Sequence, residues 1–173
     1  MGDRAGSNER TVIERTSIPT GLPYDLATAA FESAIGHLEP ETAKALVARK
    51  ASWAEVEAET GRMAGPSGLM LFAKFDQGAV ASLSGTNTRC AQYLVGNPAI
   101  AARIVRIELR ASLYVPFHVA LFEHENGGEA ILSYDRPGSF LGQFEQPQLR
   151  EIGLMLDAKI DGVARGLIGG FAS

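Results

Sequence analysis

The chain has 173 residues, 46% of them hydrophobic, 8% aromatic and 21% charged, which suits one soluble globular domain and excludes collagenous, disordered and membrane-spanning classes. Sixteen Lys and Arg stand against 20 Asp and Glu, a formal charge of -4, so no broad basic field exists to hold a phosphate backbone, and neither nucleic acid nor a membrane is expected as a partner. Cys90 is the single cysteine and residues 1–10 lack the apolar run of a signal peptide, so a cytoplasmic location is expected.

Residues 1–10 are small and polar and read as a flexible N-terminal tail. Val12, Thr16 and Ile18 alternate over 11–18, predicting a first strand that Pro19 and Gly21 end. Pro23 then opens a helix whose Ala27, Phe31, Ala34 and Leu38 form one apolar face, closed by Gly36 and Pro40. Two short helices fit 40–63, the second begun by a capping box at Ser52 and Glu55, with Trp53, Val56 and Met63 as its apolar stripe. A break at 65–68 precedes a buried strand over 69–75, which Asp76, Gln77 and Gly78 end; 82–89 reads as a loop or the start of a helix turn and 92–95 as a short strand.

Asn97 and Pro98 start a helix whose inner face is Ile100, Ile104 and Ile107; Arg103, Arg106 and Arg110 form a solvated stripe. A β-hairpin spans 116–134, turning at Glu125, Asn126, Gly127 and Gly128. Pro147 opens a C-terminal helix with Leu149, Ile152, Leu156, Ile160, Val163 and Leu167 at three- and four-residue spacing. This order predicts an α+β fold: one domain over 11–173 with a small mixed or antiparallel sheet covered by helices.

Four stretches in a fixed order carry a family resemblance: Phe72 to Asp76, Tyr93 to Pro98, Leu113 to Val119 running into Phe122 and Glu123, and Leu132 to Pro137. Over residues 69–144 the chain resembles the family called domain of unknown function 302. The resemblance implies a small α+β fold and a homodimer, and no reaction. Many members carry histidine after the aspartate matching Asp76, where this chain has Gln77, which carries no proton near neutral pH. Residues 40–63 read as a helical insertion.

The chemistry-bearing residues are sparse. Of the three histidines, His118 and His124 lie about 20 Å apart on one strand at ~3.3 Å per residue, so one ion cannot bind both, and no metal site is expected. His118 shares its strand face with Ala120 and Phe122 and is read as a buried, hydrogen-bonded histidine. No Gly-x-Ser-x-Gly elbow and no phosphate-binding glycine fingerprint occur, and Cys90 has no adjacent histidine.

The best constellation is a rim where strand ends would meet: Asp76 and Gln77, the helix start at Asn97, and Tyr134, Asp135 and Arg136 after the hairpin. There a small anionic compound would meet Gln77, Asn97, Arg103 and Arg136. The first functional reading is a homodimeric small-molecule-binding or accessory protein without a cofactor. The alternative is a small cofactor-independent isomerase, cyclase or hydrolase with His118 as base, Asp76, Glu123 or Asp135 as orienting group or second acid, and Tyr134 polarising a carbonyl.

Overall fold

In the computed structural model, which describes residues 8–123 and 128–169, the chain forms β1 (Arg15–Pro23), α1 (Tyr24–Ala34), β2 (Gly36–His37), α2 (Pro40–Ala48), α3 (Trp53–Ala64), β3 (Met70–Asp76), α4 (Gln77–Ser82), β4 (Cys90–Gly96), α5 (Pro98–Ile107), a 3-10 helix (Leu109–Tyr114), β5 (Phe117–Glu123), β6 (Glu129–Asp135), α6 (Pro137–Gly142) and α7 (Pro147–Gly169). The strands make one six-stranded mixed sheet in the order β1-β6-β5-β4-β3-β2. Every pairing is antiparallel except that of β2 with β3. The fold is α+β in a single domain.

Period-two alternation sorts the two faces of the sheet. Ala91, Tyr93 and Val95 of β4, Phe117, Val119 and Leu121 of β5, and Ala130, Leu132 and Tyr134 of β6 are buried against the helices. Phe31 of α1, Phe140 and Leu141 of α6, and Leu149, Leu156, Ile160 and Leu167 of α7 complete that core. Each large apolar side chain buried there stabilises the fold by roughly 1.5–3 kcal/mol. The opposite face leaves Arg15, Ser17, Pro19 and His118 exposed. The hairpin β5–β6 and the C-terminal helix stand where the sequence puts them, and the expected turn at Glu125, Asn126 and Gly127 lies outside the described residues, as does His124.

Several boundaries differ from the sequence reading, each for a physical reason. β1 runs on through Pro19, because it is an edge strand whose missing N–H breaks no ladder, and its register shifts between Pro19 and Pro23. The first helix stops at Ala34, and Gly36 enters a two-residue strand instead. A Cβ at Gly36 would lie 1.8 Å from the Met63 carbonyl oxygen, so α3 packs there only against a glycine. Leu38 joins a satellite cluster with Met63, Ala64, Met70 and Phe72 rather than the face of α1.

β3 is buried only at its start: Phe75 is 50% exposed. The sequence misses α4, whose N-cap is Asp76 accepting from the Ala79 N–H at 2.8 Å, as well as α6 and the 3-10 helix. The capping box of α3 forms as expected: the Ser52 hydroxyl accepts from the Glu55 N–H, and the Glu55 carboxylate accepts from the Ser52 N–H at 2.8 Å.

Candidate functional site

Strand register lays the open face out in rows. One row crosses five strands as Phe75, Gln92, Ala120, Ser133 and Ser17. A second runs Ala73, Leu94 and His118, with Arg15 and Asp135 paired beyond them, and a third runs Cys90, Phe122, Ile131 and Pro19. Ala120, Ser133 and Ser17 are short, whereas Phe122 stands on one side of them and His118 with the Arg15–Asp135 pair on the other. The middle row therefore sinks into a cross-strand groove with a cavity of about 560 Å³, of the size that holds a small organic molecule. From Ser17 to Gln92 it spans three interstrand spacings, about 14 Å at ~4.8 Å each.

The polar groups of the groove are held in place. The Arg15 guanidinium donates to the Asp135 carboxylate at 2.7 Å, which raises the arginine's pKa still further, and the Ser17 and Ser133 hydroxyls lie 2.8 Å apart. Gln77 at the start of α4 donates to the Gln92 side chain at 3.1 Å. Past Gln92 the groove meets a second cavity, about 760 Å³, lined by Phe75, Asp76, Gln77 and Val80. The Cys90 thiol beside it has a raised pKa because burial and then the nearby Asp76 carboxylate disfavour the thiolate, so it is not poised as a nucleophile.

His118 is a correction: it lies exposed on the open face rather than buried and hydrogen-bonded, because its partners in alternation, Ala120 and Phe122, face away from the helices. The rim is corrected too. Asp76 pairs with Ala91 near the start of β4, whereas Asn97 follows its last residue, six residues on and so about 20 Å away. Asn97 caps α5, accepting from the Ala99 and Ile100 N–H groups and donating to the Gly68 carbonyl at 3.2 Å. Arg103 is exposed on α5 beside Arg106 and Gln148. Glu123 ends β5 with its carboxylate 3.9 Å from Arg89 Nε, five residues from His118.

Tyr134 and Arg136 belong to the covered face. The Tyr134 hydroxyl donates to Asp161 at 2.6 Å, and burial together with that carboxylate pushes its pKa up. Arg136 donates to both Asp161 oxygens at 3.2 Å and lies 3.5 Å from Asp157. Burial works against the charge of both aspartates. At Asp161 the Tyr134 and Arg136 hydrogen bonds win and its pKa is lowered; at Asp157 burial prevails over the Gly138 N–H and Arg136, and its pKa is raised. A similar network ties β3 and β4 to α1: Glu32 accepts from Lys74 at 2.7 Å and from the Tyr93 hydroxyl at 2.9 Å.

The structure thus brings His118, Asp135 and, through Gln92, Gln77 and Asp76 along one groove; Tyr134 lines it as well but turns its hydroxyl to Asp161 on α7, and Asn97, Arg103, Glu123 and Arg136 lie elsewhere. Arg15, Ser17, Gln92, Ser133 and Phe122 complete the groove and were missed; the alternation in β5 already puts Phe122 beside His118, but the others need the strand register. Among the described residues no cluster of three His, Cys, Asp or Glu side chains is arranged to hold a metal ion, and no helix is long and apolar enough to cross a membrane.

Residues 45–167 match the model of a family described as "Domain of unknown function DUF302". The match takes in α3 and most of α7 as well as the strands between them. Among solved structures, the chain is similar to the "uncharacterized conserved protein DUF302 from Bacillus stearothermophilus", with a TM-score of 0.61 and 14% identity over 87% of this chain and 95% of that one. No curated protein matches.

Proposed function

Since the chain belongs to the DUF302 family, whose description names no reaction, we propose its function from the groove itself: it is a binding protein that holds a small amphipathic organic molecule across the open face of the sheet. The observation that carries this reading is the sunken row of Ala120, Ser133 and Ser17 between Phe122 and the His118, Asp135 and Arg15 side. A flat apolar body would lie on Ala120 against Phe122. Its polar edge would meet His118, the paired serine hydroxyls and Gln92, which supply donors and acceptors on rigid strands.

Acid–base catalysis receives less support. A histidine base needs an orienting acid, and the Asp135 carboxylate on its side of the groove is engaged by Arg15. The homodimer belongs to the same proposal. The outer edge of β3 beyond Leu71 has no partner strand among the described residues, and Phe75 and Val80, 50% and 70% exposed, lie beside it. Light scattering at micromolar concentration tests this part, and a clean monomer removes it.

Thermal-shift screening with small aromatic carboxylates and carboxamides tests the binding reading, comparing the natural chain with Ala120→Trp, which fills the groove from an exposed face. Compounds that raise the melting temperature of the natural chain and not of Ala120→Trp support it. Compounds that act equally on both place the binding elsewhere.

A further inference from the structure

A third cavity, separate from the groove, lies between α2 and α3. It has a volume of about 290 Å³ and is lined by Leu38, Leu46, Val56, Met63 and Pro98. Its chemistry is almost wholly apolar. The Thr60 hydroxyl at its wall already donates to the Val56 and Glu57 carbonyls at 2.8 and 3.2 Å, so it is not free to donate to a guest. Such an apolar lining favours a hydrocarbon over water.

One charged residue lines this cavity, Lys50. Lysines 44 and 74 form ion pairs, whereas Lys50 forms none among the described residues, and its neighbour Arg49 is engaged by Glu55. Lys50 also occupies an unusual backbone position. Its N–H donates to the Val47 carbonyl and the Ala51 N–H to the Leu46 carbonyl, the double bond pattern that closes a helix through a left-handed residue. That residue is normally glycine, yet here it is lysine at φ 52. The chain thus sets an exposed lysine with no ion pair among the described residues at the wall of an apolar cavity, at a position where a side chain is disfavoured.

We propose that this cavity binds a medium-chain alkyl carboxylate, with the hydrocarbon between α2 and α3 and the carboxylate on Lys50. At ~30 Å³ for each non-hydrogen atom, the space holds roughly ten of them, which sets the chain near eight carbons. The complementarity is twofold, because neither an alkane nor a short carboxylate uses both the apolar wall and the cation.

Calorimetric titration of the full chain with octanoate, hexanoate and 1-octanol tests the proposal. Octanoate is expected to bind saturably at one site. Hexanoate is expected to be about 15-fold weaker, from roughly fourfold per methylene. Lys50→Gly suits the left-handed backbone, so it keeps the fold while removing the ammonium group; octanoate affinity is expected to fall roughly tenfold with octanol unchanged, and Lys50→Arg to restore it. Ala43→Phe, which fills the cavity, is expected to abolish both. Absence of saturable octanoate binding overturns the proposal, as does binding that Lys50→Gly and Ala43→Phe leave unchanged.

Discussion

Leu121 and Phe122 are neighbours on β5, yet they answer to different constraints. Leu121 is fully buried among the side chains of the helical layer, while Phe122 lines a groove open to solvent. The same holds for Tyr134, whose hydroxyl is tied to α7, and Asp135, whose carboxylate meets Arg15 over the open face. On the covered face each side chain is fixed by packing or by a closed set of hydrogen bonds, so its identity serves the fold. On the open face the strands hold side chains rigidly without constraining what they are, which is the condition for placing binding groups on a scaffold.

That contrast can be broken by paired substitutions on the two faces, taken from the largest expected effect. Leu121→Ala is expected to cost about 2–5 kcal/mol in urea unfolding, since it leaves a cavity among packed neighbours. Gly36→Ala is expected to cost about 1–3 kcal/mol by forcing α3 away from β2, and a smaller loss would mean that the Met63 backbone yields easily. Tyr134→Phe removes one hydrogen bond from Asp161 and is expected to cost about 1 kcal/mol. Against these, His118→Ala is expected to stay within about 0.5 kcal/mol of the natural chain, because it lies exposed on the open face. A loss of stability from His118→Ala as large as that from Tyr134→Phe would erase the difference between the faces.

The aspartates of α7 sharpen the comparison through pH. The folded-state pKa of Asp161 lies below its ordinary value of 3.8, so its contribution is present above that value and is lost as pH falls through the folded pKa. Asp157 is raised above 3.8, so its contribution has the opposite sign: it is present below that value and lost as pH rises through the folded pKa. Unfolding curves from pH 2 to 7 are therefore expected to show a shallower acid loss in Asp161→Asn. In Asp157→Asn the decline on the upper side of 3.8 should disappear. Unchanged pH profiles in both variants would show that the cluster is not coupled to folding.

Much of the fold was legible because its signals are local. The cap at Asn97, the capping box at Ser52, the alternation through β5 and the long apolar stripe of α7 each fix an element from neighbouring residues alone. The helix α4 was missed because Gln77 to Ser82 is short and weakly patterned, and Asp76 reads equally well as a turn former or a cap. The site was legible only in part. His118 and Phe122 share a face by alternation, but which face the helices cover depends on how α1 and α7 pack. The placement of Ser17 opposite Ser133 depends on the pairing of β1 with β6, 116 residues away. Tyr134, Asp135 and Arg136 are adjacent in sequence yet split between the two faces, because a strand turns successive side chains opposite ways.

The most direct test of the groove is a nitrogen-15 NMR titration of the chain with a panel of small aromatic carboxamides and carboxylates. The expected result is that binding compounds shift the amide signals of residues 15–19, 90–94, 118–122 and 131–135 together, and that Ala120→Trp abolishes these shifts. Shifts confined to the helical layer, or none across the panel, would contradict a binding site on the open face.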